Sequence, residues 1–249
     1  MASAHKHLFT EPDAIDISVF VACYNEQDAI ADTMQDVAAA CEAAGLTYEI
    51  IVIDDFSTDE SVARIQEFQA KNTRIPVTLR LNDKNRGLAY NYVEGAFMAK
   101  GEWYRLVCGD HAEPKETLME IFKHIGEAEI IIPYHVECAG RTQSRRTLSK
   151  LYTFLVNTAS GYHIKYYNGI LVTRTYYAKR WHSNLHGFGF LADLTTCLLS
   201  LGYNYVEVPV FARDRLSGES KAITFRNFCS VGLTLMTIAF RRFSKIAFR

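Results

Sequence analysis

The chain has 249 residues, 49% apolar and 22% charged, with a formal net charge of −1; that suits one α/β domain with a sizeable core, or one domain plus a small appendage. No stretch reaches the roughly eighteen apolar residues of a membrane span, and Met1 to Thr10 lacks the apolar core of a signal peptide, so the expectation is a cytoplasmic protein. The six cysteines (Cys23, Cys41, Cys108, Cys138, Cys197, Cys229) form no C-x-x-C pair and have no histidine at metal-ligand spacing, which argues against a zinc frame and for reduced residues, mostly in the core.

Charge is unevenly spread. Residues 213–249 carry eight Lys/Arg against Asp214 and Glu219, leaving the rest of the chain at minus seven. A basic tail on an acidic body suits an anionic partner at that end, and nothing points to nucleic acid.

In chain order, Ile15 to Cys23 is a β-branched strand that stops at Tyr24-Asn25-Glu26. A helix over Gln27 to Ala44 follows, with Gly45 as its C-cap. Tyr48 to Ile53 is a second strand, stopping at Asp54-Asp55-Phe56-Ser57, and Thr58 or Asp59 caps a helix over Glu60 to Ala70. Val77 to Leu81 ends at Asn82-Asp83, and Gly87 to Lys100 is again helical. Trp103 to Val107 is a fourth strand; Gly109 permits its sharp exit and Pro114 suits the first turn of the next helix.

This unit of strand, acidic turn and helix occurs four times, and parallel strands need such crossovers. The expected architecture is therefore a mostly parallel sheet flanked by helices. Parallel strands place their carboxyl ends on one edge, so Glu26, Asp54, Asp55, Asp83 and Asp110 should share a rim. Crowded carboxylates are tolerated when they accept hydrogen bonds or bind a cation, and a nucleotide with a divalent metal supplies both. There is no G-x-G-x-x-G after the first strand and no G-x-x-x-x-G-K-[ST], which argues against the usual dinucleotide fold and P-loop enzymes.

Y-N-E, D-D-x-S-x-D, N-R-G-L-A-Y-N and the acidic turn after the fourth strand, at these spacings, resemble the inverting family 2 glycosyltransferases of GT-A fold, from about Ile15 to Lys221. The resemblance implies that Tyr24, Asn25, Glu26, Asp54, Asp55 and Gly87 bind the nucleoside of a nucleoside-diphosphate sugar, UDP- or GDP-linked. It also implies that Asp110 holds Mg2+ or Mn2+ against the diphosphate. Where that family has D-x-D, this chain has Cys108-Gly109-Asp110. A cysteine suits a hard ion poorly, so either Asp110 carries the metal with His111 and Glu113, or metal binding is weakened.

Beyond a fifth strand at Glu129 to Pro133, a helix begins near Ser144, and Arg146, Ser149 and Lys150 share one of its sides. They form either a solvated basic end or a seat for an anion. An R/K-x-x-S-R/K helix here resembles the subgroup that glycosylates polyprenyl phosphates, the dolichol-phosphate mannosyltransferase-like enzymes, and would seat the acceptor phosphate. Gly187 to Leu201 is a helix carrying Asp193, either an ordinary helix carboxylate or, as the resemblance implies, the general base if the acceptor were a hydroxyl. After a strand at Tyr205 to Phe211, the string D-R-x-x-G-E-S-K matches the same subgroup; Arg215 and Lys221 would reach phosphates, with Gly218 as the hinge of a flap.

Phe225 to Phe248 is a final helix, with an apolar run closed by Arg241, Arg242, Lys245 and Arg249. It either lies in the interface of an anionic membrane or packs on the core. The expected division is thus a catalytic domain over 1–221 and an amphipathic helix over 222–249. The expected activity is hexosyl transfer to a polyprenyl phosphate at the cytoplasmic face of a membrane. A hydroxyl-acceptor enzyme using Asp193, or a non-catalytic nucleotide-sugar binder that partners a membrane protein, are the rival readings.

Overall fold

The computed structural model describes residues 14–138, 143–181, 187, 189–212 and 225–247. Arg215, Gly218 and Lys221 lie outside the described residues. One seven-stranded sheet runs in the order β3-β2-β1-β4-β6-β5-β7. Its first half alternates as the sequence predicts: β1 (Ile17–Cys23), α1 (Ile30–Ala43), β2 (Tyr48–Asp54), α2 (Ser61–Lys71), β3 (Val77–Leu81), α3 (Leu88–Met98), β4 (Trp103–Cys108) and α4 (Lys115–Phe122). The second half comprises β5 (Ile130–Cys138), α5 (Gln143–Ser160), β6 (Val172–Arg174), α6 (Thr175–Arg180), α7 (Phe190–Ser200), β7 (Tyr205–Ala212) and α8 (Phe225–Ala247).

β1 pairs in parallel with both β2 and β4, and only β6 runs antiparallel. β6 was not foreseen; three residues are too few to show a two-residue alternation, and it owes its place to pairing with β4 and β5. Because the chain leaves β1 toward β2 and later returns on the other side to β4, the sheet has its topological switch point between β1 and β4.

Both faces are covered, so the central strands read as nearly continuous apolar runs. Ile17, Val19 and Val21 meet α1 and α4, while Phe20 points to a second cluster with Tyr92, Tyr104, Trp181 and Leu194. Tyr104 donates its hydroxyl to the Tyr92 carbonyl at 2.8 Å, so that buried hydroxyl is satisfied.

α8 inverts the usual amphipathic rule. Thr234 and Ile238 are buried against the body and Arg241 reaches in beside them, whereas Leu233, Met236, Phe240, Phe243 and Ile246 all stand exposed. The stripe spacing of three and four residues puts the apolar side chains together on the outer face. α5 does the same in its exposed half, with Leu148, Leu151, Phe154 and Leu155 outward and Val156 inward. Among the described residues no helix is long and apolar enough to cross a membrane.

The connection from α3 into β4 is tight. A Cβ on Gly101 would stand 2.5 Å from the Ser18 nitrogen, while its own N–H donates to Ser18 Oγ at 2.8 Å. Gly101→Ala must therefore push two backbones apart at a cost of about 2 kcal/mol. Thermal unfolding should show Tm lowered by roughly 4–8 °C.

Candidate active site

The carboxyl ends of β1, β2 and β4 each turn through a residue with left-handed backbone that is not glycine: Asn25 (φ 58°), Phe56 (φ 70°) and His111 (φ 53°). Such residues cost on the order of 1 kcal/mol or more each and concentrate where chemistry demands a particular loop shape. Here all three lie on one edge of the sheet, around the switch point, where open α/β sheets bind ligands.

The motif residues hold these turns to one another. Asn25 N donates to Ser57 Oγ at 2.9 Å, and Asn25 Oδ1 accepts from Thr58 N at 2.8 Å. Glu26 N donates to Ser61 Oγ at 2.8 Å, and Gln27 N donates to Asp59 Oδ2 at 3.2 Å. Much of the Y-N-E and D-D-x-S-x-D strings is thus spent on joining the β1 and β2 turns. Sequence reasoning took Asp59 only as a cap; it is the crosslink between the turns.

Asp55 does a related job. It is buried, its Oδ1 accepts from Asn82 Nδ2 (2.9 Å) and Arg86 N (2.8 Å), and its Oδ2 accepts from Gly87 N (2.9 Å). Asn82 Nδ2 also donates to Asn91 Oδ1 at 2.8 Å, which ties N-R-G-L-A-Y-N into the same network. The carboxylate expected to meet a nucleoside therefore fixes the loop before α3, and Gly87 (φ 86°) lets that loop turn. Asp54 is buried beside it, with Oδ2 accepting from Ser57 N at 3.0 Å. Asp83 sits further out, paired with Arg86 at 2.8 Å. Tyr24 stands exposed on the rim.

The β1 and β4 turns touch. A Cβ on Gly109 would lie 2.7 Å from the Ala22 carbonyl oxygen, so glycine is what lets the β4 turn lie against the end of β1. Thr33 Oγ1 of α1 donates to the Gly109 carbonyl at 3.1 Å. Asp110 itself is nearly buried and accepts from Ala112 N at 3.3 Å.

Two expected metal ligands are engaged elsewhere. His111 Nε2 lies 2.9 Å from Asp36 Oδ2 on α1, and Glu113 pairs at 2.5 Å with Arg105, which is fully buried within β4. A charged group in the middle of a strand demands a partner, and the turn after β4 folds back to supply it. Among the described residues no three His, Cys, Asp or Glu side chains gather as a metal cage. The donor set fits instead a divalent ion shared between Asp110 and a diphosphate, since Mg2+ is commonly held by one or two carboxylates plus substrate oxygens.

Asp193 also departs from expectation. It is completely buried, accepts from Trp181 Nε1 at 3.0 Å, and pairs with Arg241 Nη2 of α8 at 2.5 Å. Each oxygen accepts one of these bonds, so the carboxylate fastens α8 to α7. Arg241 could not have been matched to it from the sequence, 48 residues away. Arg146 and Lys150 are exposed on α5 and Ser149 is half-buried; α5 starts just beyond β5, at the rim edge. Cys23, Cys41, Cys108, Cys197 and Cys229 are free, and burial pushes the Cys23 and Cys41 thiols up to about 12.

The chain belongs to glycosyltransferase family 2, matching the family described as Glycosyl transferase family 2 over residues 18–181. Its fold is GT-A, and it is a glycosyltransferase by family. It is 25% identical over 205 residues to the undecaprenyl-phosphate 4-deoxy-4-formamido-L-arabinose transferase of Edwardsiella ictaluri (strain 93-146), covering 82% of this chain and 62% of that one. The chain thus spans about 62% of the length of that relative. Among solved structures, a mannosyltransferase from Pyrobaculum calidifontis in complex with GDP-Man and Mn2+ superposes with a TM-score of 0.60 at 16% identity, covering 95% of this chain and 65% of that one. Glucosyl-3-phosphoglycerate synthase from Mycobacterium tuberculosis, in complex with Mg2+ and UDP, gives 0.67 at 14% identity, covering 91% and 80%.

Two predictions concern this architecture. Partial burial raises the Asp59 carboxyl pKa, but hydrogen bonds from the Ser61 side chain, the Ser61 N–H and the Gln27 N–H together hold it below the ordinary 3.8. Its stabilising effect is present above pH 4 and is lost as pH falls through the lowered value. Asp59→Asn should therefore cost about 1 kcal/mol at pH 7, and melting curves of variant and wild type should converge in acid. Arg241→Met leaves Asp193 buried without its cation and should cost roughly 3 kcal/mol in denaturant unfolding, part of which Asp193→Asn in the same chain restores.

Proposed function

We propose that this glycosyltransferase moves a hexose from a nucleoside-diphosphate sugar, UDP- or GDP-linked, to a polyprenyl phosphate, with inversion at the anomeric carbon. The observation that carries the acceptor is the outward apolar face of α8, which suits a protein resting on the cytoplasmic face of a membrane where such an acceptor resides.

In this reading the nucleoside lies over the joined β1 and β2 turns, against Tyr24, Asn25 and Glu26, in a loop shaped by Asp54, Asp55 and Gly87. Asp110 holds the divalent ion, which when bound offsets charge on the diphosphate. Arg146, Ser149 and Lys150, at the rim end of α5, seat the acceptor phosphate; a phosphate-binding role for Arg215 and Lys221, which lie outside the described residues, rests on the resemblance of their string alone.

An acceptor phosphate oxygen attacks the anomeric carbon; the bond from that carbon to the donor diphosphate breaks, and the diphosphate leaves with the electron pair. A phosphate monoester is already anionic near pH 7, so the step needs no general base. The burial and pairing of Asp193 support this acceptor over a hydroxyl, which would require one. What the protein contributes is alignment and charge stabilisation.

The test is transfer of label from radioactive UDP- and GDP-hexoses to undecaprenyl phosphate in detergent with Mn2+. One donor should send label into the lipid phase, and Asp110→Ala should lower the rate at least about a hundredfold. In parallel, Mn2+ with UDP or GDP should raise Tm of the wild type. Nucleotide binding without label in lipid from any donor would discard the lipid acceptor.

A further inference from the structure

The three left-handed residues of the rim are not equivalent. Asn25 is of a type that tolerates this backbone, and its Oδ1 accepts from Thr58 N at 2.8 Å. His111 is of another such type, and its Nε2 lies 2.9 Å from Asp36 Oδ2. Phe56, at φ 70°, is the outlier: its side chain is bulky, can make no hydrogen bond and stands 50% exposed. Its strain is offset neither by a polar contact nor by full burial.

The turn itself does not call for phenylalanine. Asp55 N donates to the Cys23 carbonyl at 2.8 Å and Ser57 N to Asp54 Oδ2 at 3.0 Å, so the backbone on both sides of Phe56 is fixed by its neighbours. Glycine would follow that path without steric cost. What phenylalanine adds is a flat apolar surface left half open to solvent.

A second such surface stands beside it. Cys23 and Asp54 are the last register partners of β1 and β2, so the two strands deliver Tyr24 and Phe56 to the rim side by side. Asn25 N donates to Ser57 Oγ at 2.9 Å, and each aromatic residue directly precedes one end of that bond. Tyr24 is 45% exposed. At the foot of the same turn, Asp54 Oδ1 is buried and has no hydrogen-bond partner among the described residues. Two aromatic surfaces and a carboxylate oxygen that can take an N–H are complementary to a planar ring with apolar faces and a polar edge, which is what a nucleobase is.

We propose that Phe56 is a stacking platform for the nucleobase of the donor, held on a strained backbone that gives up stability for nucleotide affinity. The proposal rests on the placement of the nucleoside over the β1 and β2 turns argued above and adds a residue to it. The base lies on the Phe56 ring beside Tyr24, and the diphosphate extends toward Asp110. Stacking reads the face of any base, so Phe56 raises affinity for the nucleotide and leaves the choice between uracil and guanine to groups at the base's edge. The competing account is that the Phe56 ring packs on its own turn and only keeps the turn's shape.

Calorimetric titration with UDP, GDP and pyrophosphate, Mn2+ present throughout, separates the two, because pyrophosphate lacks the base. Phe56→Gly should lose about tenfold in affinity for the nucleotide that wild type binds, keep its affinity for pyrophosphate, and melt at or above the wild-type Tm. Phe56→Trp should keep the nucleotide affinity, and its added fluorescence should be quenched by nucleotide and not by pyrophosphate. A glycine variant that binds nucleotide as wild type does would overturn the stacking role alone. A glycine variant that loses nucleotide and pyrophosphate equally, with a lowered Tm, would overturn it too and leave the ring as a packing group. Wild type that binds neither UDP nor GDP would overturn the nucleoside placement, and the stacking role with it.

Discussion

Parallel pairing of β1 with β2 on one side and β4 on the other is the constraint on which this molecule depends. It sends the chain away from β1 in two directions and opens the sheet's rim at that point. The turns carrying Glu26 and Asp110 then have to share the opening, and glycine at position 109 lets the β4 turn lie against the end of β1. The same edge carries three left-handed residues, and Asp110 there is nearly removed from water.

Most of the polarity around the rim serves to build the rim. Asp55, Asp59, Asn25 and Asn82 spend their hydrogen bonds on neighbouring turns, and Glu113 and His111 spend theirs on Arg105 and Asp36. Such arrangements keep loops stiff in the absence of ligand, which is what alignment of a donor requires. The arrangement also limits how a metal can be held. With its neighbours engaged, Asp110 suits an ion that arrives with a diphosphate better than one caged by protein.

The two outer helices apply the opposite economy. α8 sends Arg241 inward to Asp193 and Thr196 and leaves Leu233, Met236, Phe240, Phe243 and Ile246 outside. A helix so arranged would be costly in water alone and is suited to a hydrocarbon surface. The buried Arg241–Asp193 pair couples that surface to α7, and Trp181 carries the connection into the core beneath the sheet.

Local pattern was sufficient for the repeated strand, acidic turn and helix, for the shared rim, and for the family, because these depend on hydrophobic period, turn chemistry and motif spacing within a few residues. It was also sufficient to mark the last helix as amphipathic, though not to say which face meets the protein. That choice, like the partners of Asp193, Glu113 and His111 and the existence of β6, was decided by tertiary structure. The physical reason is common to all of them: a charge or a three-residue strand is stable only through a partner far along the chain, and such a partner leaves no mark on the local sequence.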